Sequence, residues 1–220
     1  MDIAEQIRDI KTQFRLAMNG VASTQMRQQG LEYKLNFGIE LPRLQSIASE
    51  YSPNHELAQA LWKENIRESK ILAGMLMPVD RFFMEIADIW VEQIPTQEIA
   101  ELTVMNLFQR LPYASTAAFR WVADSREIFQ VCGFLLLTRL CMQQCQFNET
   151  ASYELVDQAV TALQDENQRV AQQAFKLLRK YVQLGNAQKK AVSLSLKSLC
   201  KSQNPRLSGW VEQILFECEF

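Results

Sequence analysis

The sequence has few of the residues that most catalytic and metal sites require. Its 220 residues include one histidine, His55, and five cysteines without a CxxC pair. A Cys-His or Ser-His nucleophile pair would have to use that one histidine. A zinc site at Cys141 and Cys145, one helical turn apart, would lack obvious further ligands. We therefore predict no metal site and interpret the cysteines as reduced thiols of an intracellular protein.

Glycine-rich loops and long apolar runs are absent as well. The sequence has no P-loop and no Gly-x-Gly-x-x-Gly segment, so we expect no nucleotide cofactor, and no other cofactor is indicated. No stretch reaches the roughly 18 consecutive apolar residues that a membrane span needs. The first 18 residues place Asp2, Glu5 and Asp9 among their apolar positions, unlike a signal peptide. These features predict a cytoplasmic protein without membrane contact.

Glycine and proline are scarce, at seven and six residues, whereas leucine, alanine, glutamine, glutamate and lysine are common. This usage favours helices over strands, and no segment of useful length has the two-residue period of a strand. Turn residues divide the chain into about a dozen short amphipathic segments. With 48% hydrophobic residues to fill a core, we predict a single all-α domain over residues 1–220.

Large apolar residues recur before polar turns and are followed by amphipathic segments. They are Trp62, Trp90, Trp121, Leu163 and Leu199, at intervals of 28, 31, 42 and 36 residues. These intervals lie in the range of two-helix repeats. The pattern predicts a HEAT-like solenoid of antiparallel helix pairs with a concave face, and a globular bundle is the alternative.

Acidic residues are missing from residues 167–211, although this window contains nine cations. The rest of the chain carries the other 14 lysines and arginines against all 25 acids, so the net charge of −2 hides a basic segment on an acidic body. Such a segment attracts polyanions, and the alternative is a solvated helical face. The predicted DNA-binding residues are Arg169, Lys176, Arg179, Lys180, Lys189, Lys190, Lys197, Lys201 and Arg206.

Six of these cations form two rows with the same spacing. The rows are Arg169, Lys176 and Lys180, then Lys190, Lys197 and Lys201, each with intervals of seven and four residues. Those intervals place each row on one side of a helix, so two neighbouring helices would form one basic patch. We expect the C-terminal repeats at residues 167–211 to contact the phosphate backbone of duplex DNA. An acidic protein segment, or the acidic surface of a second copy, is the alternative partner.

Several segments in a fixed order resemble the AlkD-like DNA alkylation repair family. They are NFGIELPRLQSIASEY, ELAQALWKENIRESKILAGMLM, AFRWVADSREIFQVCGFLLLTRL and QQAFKLLRKYVQ, and the similarity extends over residues 31–183. The resemblance implies a HEAT-like solenoid that holds duplex DNA in a basic concave face. Active members are DNA glycosylases that remove alkylated purines, with aromatic side chains and a carboxylate placed against the sugar of the lesion.

The catalytic positions implied by this resemblance are poorly matched. The aromatic and acidic pair would fall in IPTQEIAELTV, which contains no tryptophan and offers only Glu98 and Glu101 as acids. An expected arginine falls at Val131, and a later aromatic residue falls at Lys176. Loss of the aromatic walls removes orientation as well as charge stabilisation of a departing cationic purine. The resemblance therefore implies DNA binding and leaves glycosylase activity open.

Overall fold

The computed structural model describes residues 2–31, 33–200 and 202–219, which form helices joined by short turns and loops. Thirteen α-helices lie in these ranges, and the only β-type pairing there is a single bridge between Leu35 and Ile66. The prediction of an all-α protein is therefore confirmed. None of the helices in the described ranges is long and apolar enough to cross a membrane.

The helices divide between two compact units, Met1–Pro112 and Tyr113–Phe220. Whether these two units form the single domain expected over residues 1–220 stays a prediction. The helices of the first unit are α1 (Ile3–Leu16), α2 (Gly20–Gln28), α3 (Leu41–Ser49), α4 (His55–Trp62), α5 (Arg67–Leu76), α6 (Met84–Glu92) and α7 (Gln97–Asn106). Short 3-10 helices follow α5 at Val79–Arg81 and α7 at Phe108–Arg110.

The second unit contains six α-helices. They are α8 (Ala114–Val122), α9 (Glu127–Met142), α10 (Glu149–Ala162), α11 (Gln168–Val182), α12 (Asn186–Leu196) and α13 (Pro205–Glu219), with a 3-10 turn at Lys197–Leu199. Consecutive helices contact each other as pairs, for example α8 with α9 and α10 with α11. Alternate helices are also in contact: α11 packs against both α9 and α13, and these three helices form one layer of this unit. Helices α3, α5 and α7 form the corresponding layer of the first unit.

Polar residues at the helix starts explain why the sequence divides where it does. The side chains of Asn54, Thr96, Asn148 and Asn167 each accept a hydrogen bond from a backbone N–H group in the first turn of the helix that follows. Each bond satisfies a donor that has no partner inside the helix, which typically stabilises the helix by about 1 kcal/mol. The turn residues read from the sequence therefore mark true helix boundaries.

Two stacked tryptophans form the centre of the first unit. The rings of Trp62 and Trp90 lie 4.0 Å apart and are parallel within 2°, and both side chains are almost fully buried. The ring nitrogen of Trp62 donates to Gln93 Oε1 at 2.9 Å, and that of Trp90 reaches Gln59 Oε1 at 3.5 Å. These tryptophans, spaced 28 residues apart, therefore pack repeat against repeat rather than face a ligand.

The segment before α3 packs closely on α2. The Asn19 N–H donates to Phe37 O at 2.9 Å, and the Ser23 hydroxyl donates to Asn36 O at 2.8 Å. Gly38 has a positive φ of 69°, and a Cβ atom there would collide with the backbone oxygen of Asn19 and lie 2.6 Å from Ser23 N. Only glycine satisfies both the backbone angle and this close approach.

Candidate nucleic-acid interface

Helix α11 carries the clearest part of the basic surface. One side of the helix is buried, and Asn167 caps its start by accepting from the N–H groups of Arg169 and Val170. The buried residues include Val170, Ala174, Leu177, Leu178 and Tyr181. This strongly one-sided pattern fixes the rotation of α11, because a turn of the helix about its axis would expose the whole apolar stripe.

The opposite side of α11 lines a cleft of about 350 Å³. Lys176, Arg179, Lys180 and Gln183 form its wall at helical intervals of three, four and seven residues, and Thr138 of α9 completes it. Lys176 is exposed and Lys180 is half-buried, with its ammonium group donating to Gln183 Oε1 at 3.0 Å. Neither lysine forms an ion pair with an acid in the described part of the chain.

The arginines of the basic window are held by the protein itself. Arg179 pairs with Glu217 of α13, and Arg169 pairs with Glu127 at 3.3 Å. Arg206 donates to Asp165 O at 2.9 Å, and its guanidinium lies 5.2 Å from the centre of the Trp210 ring. The Arg169 pair is open to water and contributes little to stability.

The predicted lysines of α12 and its surroundings lie at or near the surface. Lys190 and Lys197 are exposed, and Lys189 is half-buried. Lys189 lines a second cleft of about 460 Å³ together with Gln183, Phe216 and Glu217. The remaining predicted residue, Lys201, lies outside the described residues.

The window thus divides by residue type. Two of its three arginines are engaged by half-buried protein groups, whereas Lys176, Lys190 and Lys197 are exposed. A lysine ammonium is a flexible point charge that suits phosphate contact without sequence readout. The cleft on α11 therefore brings Lys176 and Lys180 together without an acidic partner in the described residues.

The acid Glu98 has a specific internal partner. Arg67 of α5 donates from Nε to both carboxylate oxygens, at 3.1 and 3.0 Å, and from Nη2 to Oε1 at 2.7 Å. The Tyr33 hydroxyl adds a hydrogen bond to Oε2 at 2.9 Å. Both oxygens of the Glu98 carboxylate are engaged by these bonds, which are strong because they involve charged groups. The bonds to Arg67 therefore connect α7 to α5.

The same arginine extends this network into the core. Its Nη1 donates to Ile39 O at 3.0 Å and to Glu68 Oε1 at 3.1 Å. Glu68 is fully buried and accepts from the N–H groups of Phe37 and Ile39. Burial alone would lower the pKa of Arg67, but the bonds to Glu98 and Glu68 outweigh it and the pKa is raised. We call Tyr33, Arg67, Glu68 and Glu98 the ion clasp.

The other positions implied by the resemblance have different surroundings. Glu101 lies on the exposed side of α7 and accepts a hydrogen bond from Gln97 Nε2 at 2.8 Å. Val131 is 2% exposed in α9, so the place expected for an arginine belongs to the core. Trp121 is as deeply buried as the stacked tryptophans, and Trp210 stacks on Phe175 at 5.0 Å. The four tryptophans therefore pack inside their own units.

Phe216 of α13 is an exposed aromatic residue that sequence reasoning did not single out. The buried stripe of α13 passes through Leu207, Val211 and Ile214, and Phe216 lies two residues beyond it, on the opposite side of the helix. Its side chain is 62% exposed beside the second cleft. An apolar residue two positions out of register on an amphipathic helix was the available signal.

Comparison with known proteins agrees with this fold. A family model described as DNA alkylation repair enzyme matches residues 10–213. No curated protein sequence matches the chain. One solved structure is similar over 98% of this chain and 94% of its own, with a TM-score of 0.80 and 14% identity. It belongs to a family of proteins related to the HEAT-like repeat DNA glycosylases, with affinity for branched DNA structures.

Two engineered structures are more distant. One engineered protein has a TM-score of 0.43 over 81% of this chain and 83% of its own, and a designed armadillo repeat protein has 0.38 over 81% and 94%, both at 14% identity. Neither similarity defines the fold further. The match at 0.80 confirms the predicted HEAT-like repeat fold. Since the family model spans nearly the whole sequence, the chain belongs to the DNA alkylation repair enzyme family.

Proposed function

We propose that this protein binds duplex DNA through its phosphate backbone, with the lysines of α11 and α12 as the main contacts. The observation that carries the proposal is the cleft where Lys176 and Lys180 lie side by side without an acidic partner in the described residues. Two neighbouring positive charges cost free energy to hold together, and phosphates compensate them. Family membership and the DNA affinity of the similar structure support the same function.

The proposal concerns holding DNA rather than cutting the glycosidic bond. A glycosylase needs a carboxylate that faces the lesion, and Glu98 instead faces Arg67 and Tyr33. Glu101 is exposed and accepts a hydrogen bond from Gln97. We propose that Glu98 supports the structure, and that the protein acts on DNA in the cytoplasm without a cofactor.

Salt dependence tests the phosphate contacts directly. Each contact adds about 0.9 to the slope of log affinity against log salt concentration. We expect the double variant Lys176→Ala, Lys180→Ala to lower the slope for a 20-base-pair duplex by about two, measured by fluorescence anisotropy from 50 to 200 mM salt. The matched control is Lys34→Ala, Lys63→Ala, which removes two exposed lysines of the first unit and should leave the slope unchanged.

Two further measurements distinguish binding of DNA from binding of other polyanions. The charge-conserving variant Lys176→Arg, Lys180→Arg should keep most of the slope, because phosphate contact requires charge at these positions. A polyglutamate competitor should displace the duplex only at much higher concentration than unlabelled DNA. An affinity independent of salt, or polyglutamate bound more tightly than duplex DNA, would contradict the proposal.

A further inference from the structure

We propose that copies of this protein bind each other head to tail, with the corner between α1 and α2 of one copy packed on the exposed side of α10 of the next. The inference goes beyond the proposed function, because it needs no DNA and uses none of the lysines of α11 and α12. Each surface lies within a single unit, the corner in the first and α10 in the second.

The corner between α1 and α2 exposes three large apolar side chains. Leu16, Met18 and Val21 are 82%, 61% and 70% exposed, and they lie within six residues of the chain. Helix α2 has a single buried residue, Ser23, so most of its surface is uncovered. Apolar residues gathered at one place on a surface mark an interaction site, whereas scattered ones do not. We call the exposed residues at this place the N-terminal corner: Arg15, Leu16, Met18, Val21 and Arg27.

The charge of the N-terminal corner favours an acidic partner. Residues 10–31 contain no Asp or Glu and three cations, Lys11, Arg15 and Arg27. Lys11 pairs with Glu64. Arg15 and Arg27 are exposed, and neither forms an ion pair within the described residues. An apolar surface flanked by such cations is complementary to an apolar side chain surrounded by acids.

Helix α10 presents that combination. Glu149, Tyr153 and Asp157 recur at intervals of four residues and so lie along one side of the helix, with Glu154 next to Tyr153 in the chain. All four side chains are exposed, and Tyr153 is 75% exposed. The buried side of α10 includes Leu155, and the helix packs on α11 and α12. We call the four exposed residues the α10 face.

The acids of the α10 face have no cation near them in the sequence. Residues 140–168 contain no Lys or Arg, although they contain five acids. Glu149, Glu154 and Asp157 form no ion pair with any described residue of the chain. Acids three residues apart on one helix, such as Glu154 and Asp157, repel each other. A positively charged partner would therefore relieve this repulsion as well as form new contacts.

A second copy of the chain supplies the complement of each surface. The N-terminal corner is cationic and apolar, and the α10 face is anionic with one aromatic ring, so the two match in charge and in apolar character. Tyrosine, methionine and arginine, which both surfaces offer between them, are enriched at protein interfaces. Either surface would meet like charge in a symmetric contact with its own copy. The contact is therefore heterologous, and it can continue from copy to copy.

Sedimentation velocity without DNA tests this contact. The mass of the wild type should rise with protein concentration. An increase from about 50 mM to about 500 mM salt, which shortens the Debye length to about a third, should weaken the association. The corner variant is Leu16→Glu, Val21→Glu, and the α10 variant is Tyr153→Ala, Asp157→Lys. Each variant alone should associate at least about tenfold more weakly, because an altered surface meets an intact one.

A mixture of the two variants distinguishes a head-to-tail contact from a symmetric one. The α10 variant keeps its N-terminal corner, and the corner variant keeps its α10 face. An equimolar mixture should therefore form a one-to-one complex with nearly the affinity of the wild type. That complex should grow no further, because both of its remaining surfaces are altered. All the substituted side chains are exposed, so both variants should keep the circular dichroism spectrum of the wild type.

Two controls test whether the effects are specific. Ile89→Glu adds an acid at a 52% exposed apolar residue of α6, and Tyr153→Phe keeps the aromatic ring, so both should associate like the wild type. A wild type that stays monomeric at low salt, or a mixture of the folded variants that stays monomeric, overturns the inference.

Two other results would assign different partners and also overturn it. Loss of association in Lys176→Ala, Lys180→Ala but not in the corner variant would identify the lysines of α11 as the partner of α10. Weaker binding of duplex DNA by the corner variant, with a monomeric wild type, would show that the N-terminal corner contacts DNA. Neither result depends on whether the salt-slope test of the proposed function succeeds, because association is measured without DNA.

Discussion

Substitution of Glu98 distinguishes a structural acid from a catalytic one. In the variant Glu98→Gln one of the two carboxylate oxygens becomes an amide NH2 group, so a donor would face Arg67 in place of at least one of the three hydrogen bonds that now exist. Arg67 is 5% exposed and would lose one of its two carboxylate partners. The hydrogen bond from Tyr33 would also be disturbed.

The size of the effect follows from these contacts. Removing one partner of a buried ion pair typically costs about 3–5 kcal/mol. Glu68 still compensates Arg67, and Glu98 itself is 25% exposed, so we expect a smaller loss of about 2–3 kcal/mol. For a chain of this length, 1 kcal/mol corresponds to about 2–4 °C, which gives a fall in Tm of about 4–12 °C.

Circular dichroism on heating measures this difference against a matched acid. Glu101→Gln changes an exposed residue of the same helix that accepts one hydrogen bond from Gln97, and its effect should stay within about 0.5 kcal/mol. A Glu98→Gln variant that melts within about 2 °C of the wild type would refute the structural role. Loss of methylated-purine release in that variant without loss of stability would identify Glu98 as catalytic.

Three other perturbations give further checks. Gly38→Ala should lower the urea midpoint much more than Gly30→Ala, because both glycines have positive φ but only Gly38 has backbone atoms in the way; equal effects would contradict this. Burial raises the pKa of the Cys132 thiol, so Ellman's reagent should modify the exposed Cys200 rapidly and Cys132 only on unfolding. The hydrogen bond from the Arg126 side chain lowers the pKa of Asp124 to about 2. Its stabilising contribution should therefore be complete above about pH 4 and lost as the pH falls towards 2, and an NMR titration midpoint near 4 would contradict this.

Local features of the fold were readable from the sequence because they depend on neighbouring residues. Asn148 and Asn167 mark helix starts because an amide side chain bonds the N–H groups two or three residues ahead. The tryptophan positions indicated repeat packing because Trp62 and Trp90 precede similar turns. The family followed from the order of such segments, and the family model confirms it.

The ion clasp was beyond sequence reasoning for a physical reason. Arg67 and Glu98 are 31 residues apart, and nothing in the local pattern of either helix shows that their side chains meet. The different surroundings of the arginines and lysines in the basic window could not be predicted for the same reason. Lysine and arginine count equally in a charge profile, and only the fold brings Glu217 to Arg179 while leaving Lys176 in solvent.

The reciprocal contacts of Trp62 and Trp90 have a consequence for how the repeats assemble. Each indole N–H points to an amide three positions from the other ring, so two polar contacts and one ring stack share a single alignment of α4 and α6. Sliding one helix past the other by a turn of 5.4 Å would break all three together. The tryptophan pair therefore fixes the position of α4 along α6. A contact made only of aliphatic side chains would let one helix shift along the other more easily.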